Sequence, residues 1–306
     1  MTYARAHLVD TENGGFYHCI SRCVRRSWLC GRDSVSGRSF EHRRGWIESR
    51  LLELSELFAV ELYGYAVMSN HYHVVVQVDP KRVGEWSDES VVRRWLRLCP
   101  GASAEHEARK RQALLEDAER VAELRVRLGS LSWFMRFVNE PIAREANRED
   151  RCTGRFWEGR FKSVALLDEA AVLACLAYVD LNPVRAEVTA RAESGPYTSI
   201  RRRVGESEKA STPLASLDAL GMTLPDYVAL VRWTARVEQG GVAGPRGEAA
   251  QALSGMGQSP EAWLRQVRAH RFKYRAYGAA GRLRRYAEAL GQSWIRGCRH
   301  GALAGT

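Results

Sequence analysis

No apolar run in this 306-residue chain approaches the roughly 20 residues needed to cross a bilayer. The start, Met1-Thr2-Tyr3-Ala4-Arg5-Ala6-His7, also lacks the apolar segment of a secretory signal. Both absences point to a cytoplasmic protein. Cysteine is scarce and irregular, with seven residues at Cys19, Cys23, Cys30, Cys99, Cys152, Cys175 and Cys298. An odd, scattered set does not make a disulfide framework in a cytoplasmic chain of this length. Cys19-x-x-x-Cys23 followed by Cys30 has no matching second pair, so a structural zinc site is not indicated either. Acid is short as well: 36 Asp plus Glu face 46 Lys plus Arg, a net charge of +10 with a pI near 9.5. That excess favours a polyanion, either nucleic acid or an anionic membrane surface, and without a membrane segment nucleic acid leads. No internal repeat is visible. What remains is a hydrophobic content of 45%, enough to fill a core.

Taken in order, residues 14–21 read as a strand after a glycine turn, with Arg22, Arg25 and Arg26 in a following loop. Residues 39–58 carry Trp46, Ile47, Leu51, Leu54, Leu57 and Phe58 near helical spacing. Leu62 to Val67 and His71 to Val78 then form two strands joined at Met68-Ser69-Asn70. Strand, helix, strand, strand is the opening of a ferredoxin-like βαββαβ domain. Residues 79–129 interrupt it as a helical insertion: a short helix from Trp86 to Leu98, then one long charged helix from Glu105 to Leu128. An amphipathic helix resumes over 131–147, kinked at Pro141. Phe161 to Leu167 supplies the fourth strand, and Asp168 stands as the N-cap of a helix that Pro183 closes. Residues 1–204 thus make one α+β domain with an antiparallel sheet. Residues 205–306 read as a basic helical extension, with helical patterns near 225–237 and 259–290 and a DNA-contacting role for its arginines.

Three stretches carry chemistry. In Asn70-His71-Tyr72-His73, strand alternation puts His71 and His73 on one face and Tyr72 on the other. Two imidazoles on one face can share a divalent metal. In residues 148–162, Arg148, Arg151, Arg155, Arg160 and Lys162 interleave with Phe156, Trp157 and Phe161. Cations neutralise phosphates while rings stack on unpaired bases, so this stretch suits nucleic acid, although the rings also suit a core. On the helix after Asp168, Tyr178 and Asn182 lie four apart and share a face.

The combination of Asn70-His71-Tyr72-His73, Asn139, Asn147-Arg148, residues 154–162 and Tyr178-Val179-Asp180-Leu181-Asn182-Pro183-Val184-Arg185-Ala186, with Tyr197-x-Ser199 trailing, resembles the single-tyrosine HUH DNA transposases. Within them it is most similar to the REP-associated tyrosine transposases. The likeness spans roughly residues 12–203. It implies His71 and His73 as metal ligands, Asn182 at the position of the third polar ligand, Tyr178 as nucleophile, and Mg²⁺ or Mn²⁺ as cofactor. It further implies single-stranded or hairpin DNA as partner, a nucleoid-associated location, and Arg148, Arg155, Arg160, Lys162 and Arg185 as DNA contacts. A homodimer is compatible with it.

Metal, phenol and basic surface together fit a single-strand endonuclease and strand-transferase working through a 5′-phosphotyrosine. A DNA-binding regulator without turnover needs neither the two histidines nor Tyr178. A hydrolase of small phosphate esters does not need the basic surface. A covalent protein–DNA adduct separates the three.

Overall fold

The computed structural model describes residues 8–24, 29–33, 37–205, 213–241, 244–270 and 274–299. Arg25, Arg26, Arg271 and Lys273 lie outside the described residues. The elements run β1 (Gly15–Arg22), α1 (His42–Leu57), β2 (Val60–Val67), β3 (His71–Val78), α2 (Asp88–Leu98), α3 (Ala104–Leu115), α4 (Ala118–Leu128) and α5 (Leu131–Glu149). They continue with β4 (Lys162–Leu166), α6 (Glu169–Asp180), α7 (Asn182–Arg185), α8 (Ser199–Gly205), α9 (Leu224–Glu238), α10 (Glu248–Gly255), α11 (Pro260–Ala269), β5 (Ala276–Gly278), α12 (Ala280–Ala289) and β6 (Gly297–Arg299). The class is α+β. Strand order is β2-β3-β1-β4-β5-β6, and the first four strands, all antiparallel, have the ferredoxin-like order expected of βαββαβ.

β1 is central, and its alternation divides the interior. Tyr17 and Cys19 face one core with Tyr72, Val74 and Val76 of β3, covered by α1 and α5. The cover holds because Ile47, Leu51 and Leu54 of α1 and Phe134, Val138 and Ile142 of α5 recur at helical spacing. The buried Arg43 of α1 also pairs with Glu149 and Asp150 at the end of α5. The opposite face of the sheet carries Phe16, His18, Ile20 and Arg22 of β1, and α6 lies across it.

α6 is buried nearly all round, from Ala171 to Asp180. A helix of that kind needs apolar partners on both sides, and the C-terminal third provides the outer one through α11 and the residues around α9. Inner packing is close: a Cβ on Gly64 of β2 would stand 2.5 Å from Leu176 of α6. Asp168 caps α6 as expected, accepting from the Ala171 N–H at 2.9 Å. Asp180 locks the other end, accepting from Ser199 Oγ (2.7 Å), Tyr227 Oη (2.6 Å) and the Ile200 N–H (3.1 Å).

Four expectations need correction. The charged helix of the insertion is two helices, because Asp117 accepts from the Arg120 N–H and starts a second one whose Val121, Leu124 and Leu128 are buried. Pro183 does not close the helical path; it stands in the first turn of α7, where a missing N–H is harmless. The pattern over 259–290 is interrupted by β5, because Ala276 and Tyr277 are buried beside β4. The sheet is therefore mixed: β5 runs parallel to β4 and β6 parallel to β5, so the C-terminal third builds the same sheet as well as adding helices. Among the described residues no helix is long and apolar enough to cross a membrane.

Candidate active site

The site grows from sheet register. On the face toward α6, Lys162, Ile20 and His73 lie across from one another on β4, β1 and β3, and Arg22 pairs with His71 one step along. His18, opposite Val75, is the diagonal neighbour of His73. Tyr72 points the other way, its hydroxyl donating to Asn139 Oδ1 at 2.8 Å, and Asn139 in turn donates to Ser21 Oγ at 3.0 Å. Asn139 is thus part of the polar support beneath β3.

His71 and His73 converge, with their Nε2 atoms 3.1 Å apart. Each Nδ1 is engaged: His71 Nδ1 donates to Asn70 Oδ1 at 2.6 Å, and His73 Nδ1 lies 2.9 Å from His18 Nε2. Since an amide oxygen only accepts, the Asn70 bond fixes the proton of neutral His71 on Nδ1 and leaves Nε2 as a lone pair. When His73 donates likewise to His18, the two Nε2 lone pairs face one point. Two nitrogens about 2.1 Å from one ion and roughly at right angles lie about 3 Å apart, so the pair fits a shared divalent cation. Burial holds His71 down at about 4, helped by Arg22, and His18 at about 3, helped by His71. Burial and the neighbouring His18 push His73 well below the ordinary range too. All three are neutral at pH 7, the state a metal ligand requires.

Tyr178 of α6 stands over this pair, its ring centroid 5.7 Å from His73 and 5.9 Å from His18, edge-on to both. Arg185 places its guanidinium 4.7 Å from the Tyr178 centroid and donates to the Tyr178 carbonyl at 3.0 Å. A two-pronged ion pair with Glu238 of α9, at 3.0 and 2.7 Å, holds Arg185 there. Tyr178, His71 and His73 open onto one cavity of about 390 Å³. Arg22, Glu158, Arg160 and Lys162 also line it. Residues 158–160 reach the rim because the Val24 N–H donates to the Phe156 carbonyl and the Glu158 N–H to the Arg22 carbonyl, strapping the loop to the end of β1.

Of the residues singled out from sequence, His71, His73, Tyr178, Arg160 and Lys162 meet at this cavity. Asn182 does not line it; its Nδ2 donates to the Tyr178 and Val179 carbonyls at 2.9 and 3.4 Å. Arg148, paired with Glu145, and the exposed Arg155 lie outside it. Arg185 serves Tyr178 and Glu238. Phe156 and Trp157 are core, with Trp157 Nε1 donating to the Asn139 carbonyl at 2.9 Å, so neither ring is presented for base stacking. His18, Arg22, Glu158 and the buried His270, whose ring lies 6.2 Å from Tyr178, were not marked as site residues from sequence. A signal existed for the first two, which alternate with Phe16 and Ile20 on one strand face. None existed for His270.

No protein-family model matches the chain, and no curated protein matches it. Among solved structures, a REP-associated tyrosine transposase bound to a REP hairpin is similar at 12% identity and a TM-score of 0.41, covering 70% of this chain and 94% of that one.

Proposed function

We propose that the chain is a metal-dependent single-strand DNA endonuclease and strand-transferase, acting on hairpin-containing DNA through a covalent 5′-phosphotyrosine on Tyr178. One observation carries this reading: a tyrosine and a metal-competent histidine pair share one cavity with Arg22, Arg160 and Lys162. His71 and His73 would hold Mg²⁺ or Mn²⁺. Such an ion, when bound, polarises a phosphodiester oxygen and offsets the negative charge that builds on it.

The protein's own groups do the rest. Tyr178 gives up its phenolic proton and its oxygen forms a bond to phosphorus, while the bond from phosphorus to the 3′ oxygen breaks and that oxygen takes a proton. One phosphate ester replaces another, so the step is reversible and a different 3′-hydroxyl can reclaim the phosphate. Arg185 over the ring, itself held by Glu238, keeps the ring from rotating away. Arg22, Arg160 and Lys162 bind the flanking phosphates and set the register of the strand. Asn182, whose Nδ2 is held by the Tyr178 and Val179 carbonyls, would supply its side-chain oxygen as a third ligand.

Incubation of the protein with labelled hairpin DNA and Mn²⁺, followed by denaturation, tests the proposal. A protein–DNA adduct and a free 3′-hydroxyl are expected. Binding without cleavage would instead mark a non-catalytic regulator, and cleavage without any adduct a hydrolase.

A further inference from the structure

We propose that His18, Cys175 and His270 form a second, buried site for a soft divalent ion of the zinc class, set behind the His71–His73 pair. The three come from β1, α6 and the end of α11, and one ligand atom of each lies within 4.8 Å of the other two. Both imidazoles are 1% exposed and the thiol is fully buried. Around a tetrahedral zinc, bonds of about 2.0–2.3 Å put ligand atoms about 3.3–3.8 Å apart, so closure asks for movements of about 1 Å or less. Side-chain rotation supplies that.

The donor set decides the metal. A thiolate with two imidazoles selects zinc or cobalt over magnesium and manganese, the ions suited to the cavity. A lone thiol in an apolar cluster is ordinary packing. Two buried imidazoles converging on it are not what apolar packing selects, since each polar ring must leave water. On binding, the Cys175 thiol loses its proton to solvent while both imidazoles ligate as neutral groups. Three protein ligands leave a fourth position open.

His18 is also the partner of His73, and this couples the sites. With an ion on His18 Nδ1, the His18 proton sits on Nε2 and is donated to His73 Nδ1. The proton of His73 then occupies Nε2, the nitrogen that faces His71. With an ion on His18 Nε2 instead, the 2.9 Å contact to His73 is broken. Either way His73 loses the support that presents its Nε2 lone pair, so filling the buried site opposes binding at the pair. This coupling rests on the function proposed above; the buried site does not.

Cobalt is the probe. Co²⁺ is added to the native full chain and to chain refolded in its presence. A sulfur-to-cobalt charge-transfer band is expected in the near ultraviolet, retained in His71→Ala, lost in Cys175→Ser, and requiring at least about tenfold more metal in His270→Ala. No such band in either preparation of the unaltered protein overturns the site, whatever the variants do. A band that survives Cys175→Ser also overturns it, since another thiol is then the ligand. Failure of the His71–His73 reading looks different: Mn²⁺ affinity unchanged in His71→Ala, with the cobalt band intact. For the coupling, Mn²⁺ should bind about tenfold or more weakly to the unaltered protein when one equivalent of Co²⁺ is held in the buried site, as shown by a retained sulfur-to-cobalt band, than when it is absent. Equal Mn²⁺ affinities with the band retained overturn the coupling.

Discussion

Replacing His18 by Leu isolates the support beneath His71 and His73. His18 Nε2 lies 2.9 Å from His73 Nδ1, and both rings are buried, so no water replaces the lost acceptor. The Nδ1–H of His73 is stranded, at a cost of about 1–3 kcal/mol, and its ring is free to present the wrong nitrogen. In the proposed function a bound ion would depend on the His73 lone pair, so most of that penalty would fall on metal affinity. About 1.4 kcal/mol is a factor of ten, so Mn²⁺ should bind about 10–100-fold more weakly, in line with the loss of supporting partners at other metal sites. His18→Gln, which offers an amide oxygen to the same proton, should recover part of the loss. Mn²⁺ affinity is read from the free-ion electron paramagnetic resonance signal, and hairpin binding at low metal serves as the control for folding. Hairpin affinity should be unchanged, since Arg160 and Lys162 are not touched. Equal Mn²⁺ affinity in His18→Leu and the parent protein would refute the supporting role.

Three further outcomes follow from the same geometry. Arg160→Ala combined with Lys162→Ala should lower the salt slope of single-strand binding by about 1.4, two phosphate contacts, whereas Arg155→Ala should change it by less than about 0.7; the reverse order would move the DNA away from the cavity. His18 and His71, at about 3 and about 4, lie below their ordinary value of 6.5, so the unfolded chain takes up protons first as pH falls. Stability should be full above about pH 6.5 and drop toward pH 4, with a shallower drop in His71→Ala; a thermal midpoint that is flat between those values contradicts the burial of neutral imidazoles. Asp180→Ala strands the Tyr227 hydroxyl and the Ile200 N–H, while Ser199 Oγ keeps its contact with the Tyr65 carbonyl, and urea unfolding should show a loss of at least about 2 kcal/mol; a loss below about 1 kcal/mol would mean that another contact fixes the end of α6.

Local patterns made much of the frame legible. The alternation in 71–78, the short Met68-Ser69-Asn70 connection and the Asp168 cap each rest on interactions between near neighbours, and β2, β3 and α6 form where those signals stand. The shared face of His71 and His73 follows from strand geometry alone. Long-range packing was not legible. Gly64 reads as a weak strand residue until Leu176 is seen against it, and the short Ala276–Gly278 sits between two basic helices whose charges dominate the pattern. Phe156 and Trp157 look available among arginines, but the link from Val24 to the Phe156 carbonyl turns them inward. His270 lies 92 residues beyond Tyr178, and the packing of α11 against α6 brings the two rings within 6.2 Å.

Tyr178→Phe tests the central claim most directly. It removes one oxygen and keeps a ring that packs edge-on against His18 and His73 and beneath Arg185. The variant is incubated with labelled hairpin DNA and Mn²⁺ beside the parent protein, and the adduct formed by the parent is digested and mapped by mass spectrometry. Fold and hairpin affinity should survive in Tyr178→Phe, while cleavage and adduct both disappear, and the DNA-linked peptide of the parent protein should contain Tyr178. An active Tyr178→Phe enzyme, or a linked peptide carrying Tyr197 and not Tyr178, would contradict the account.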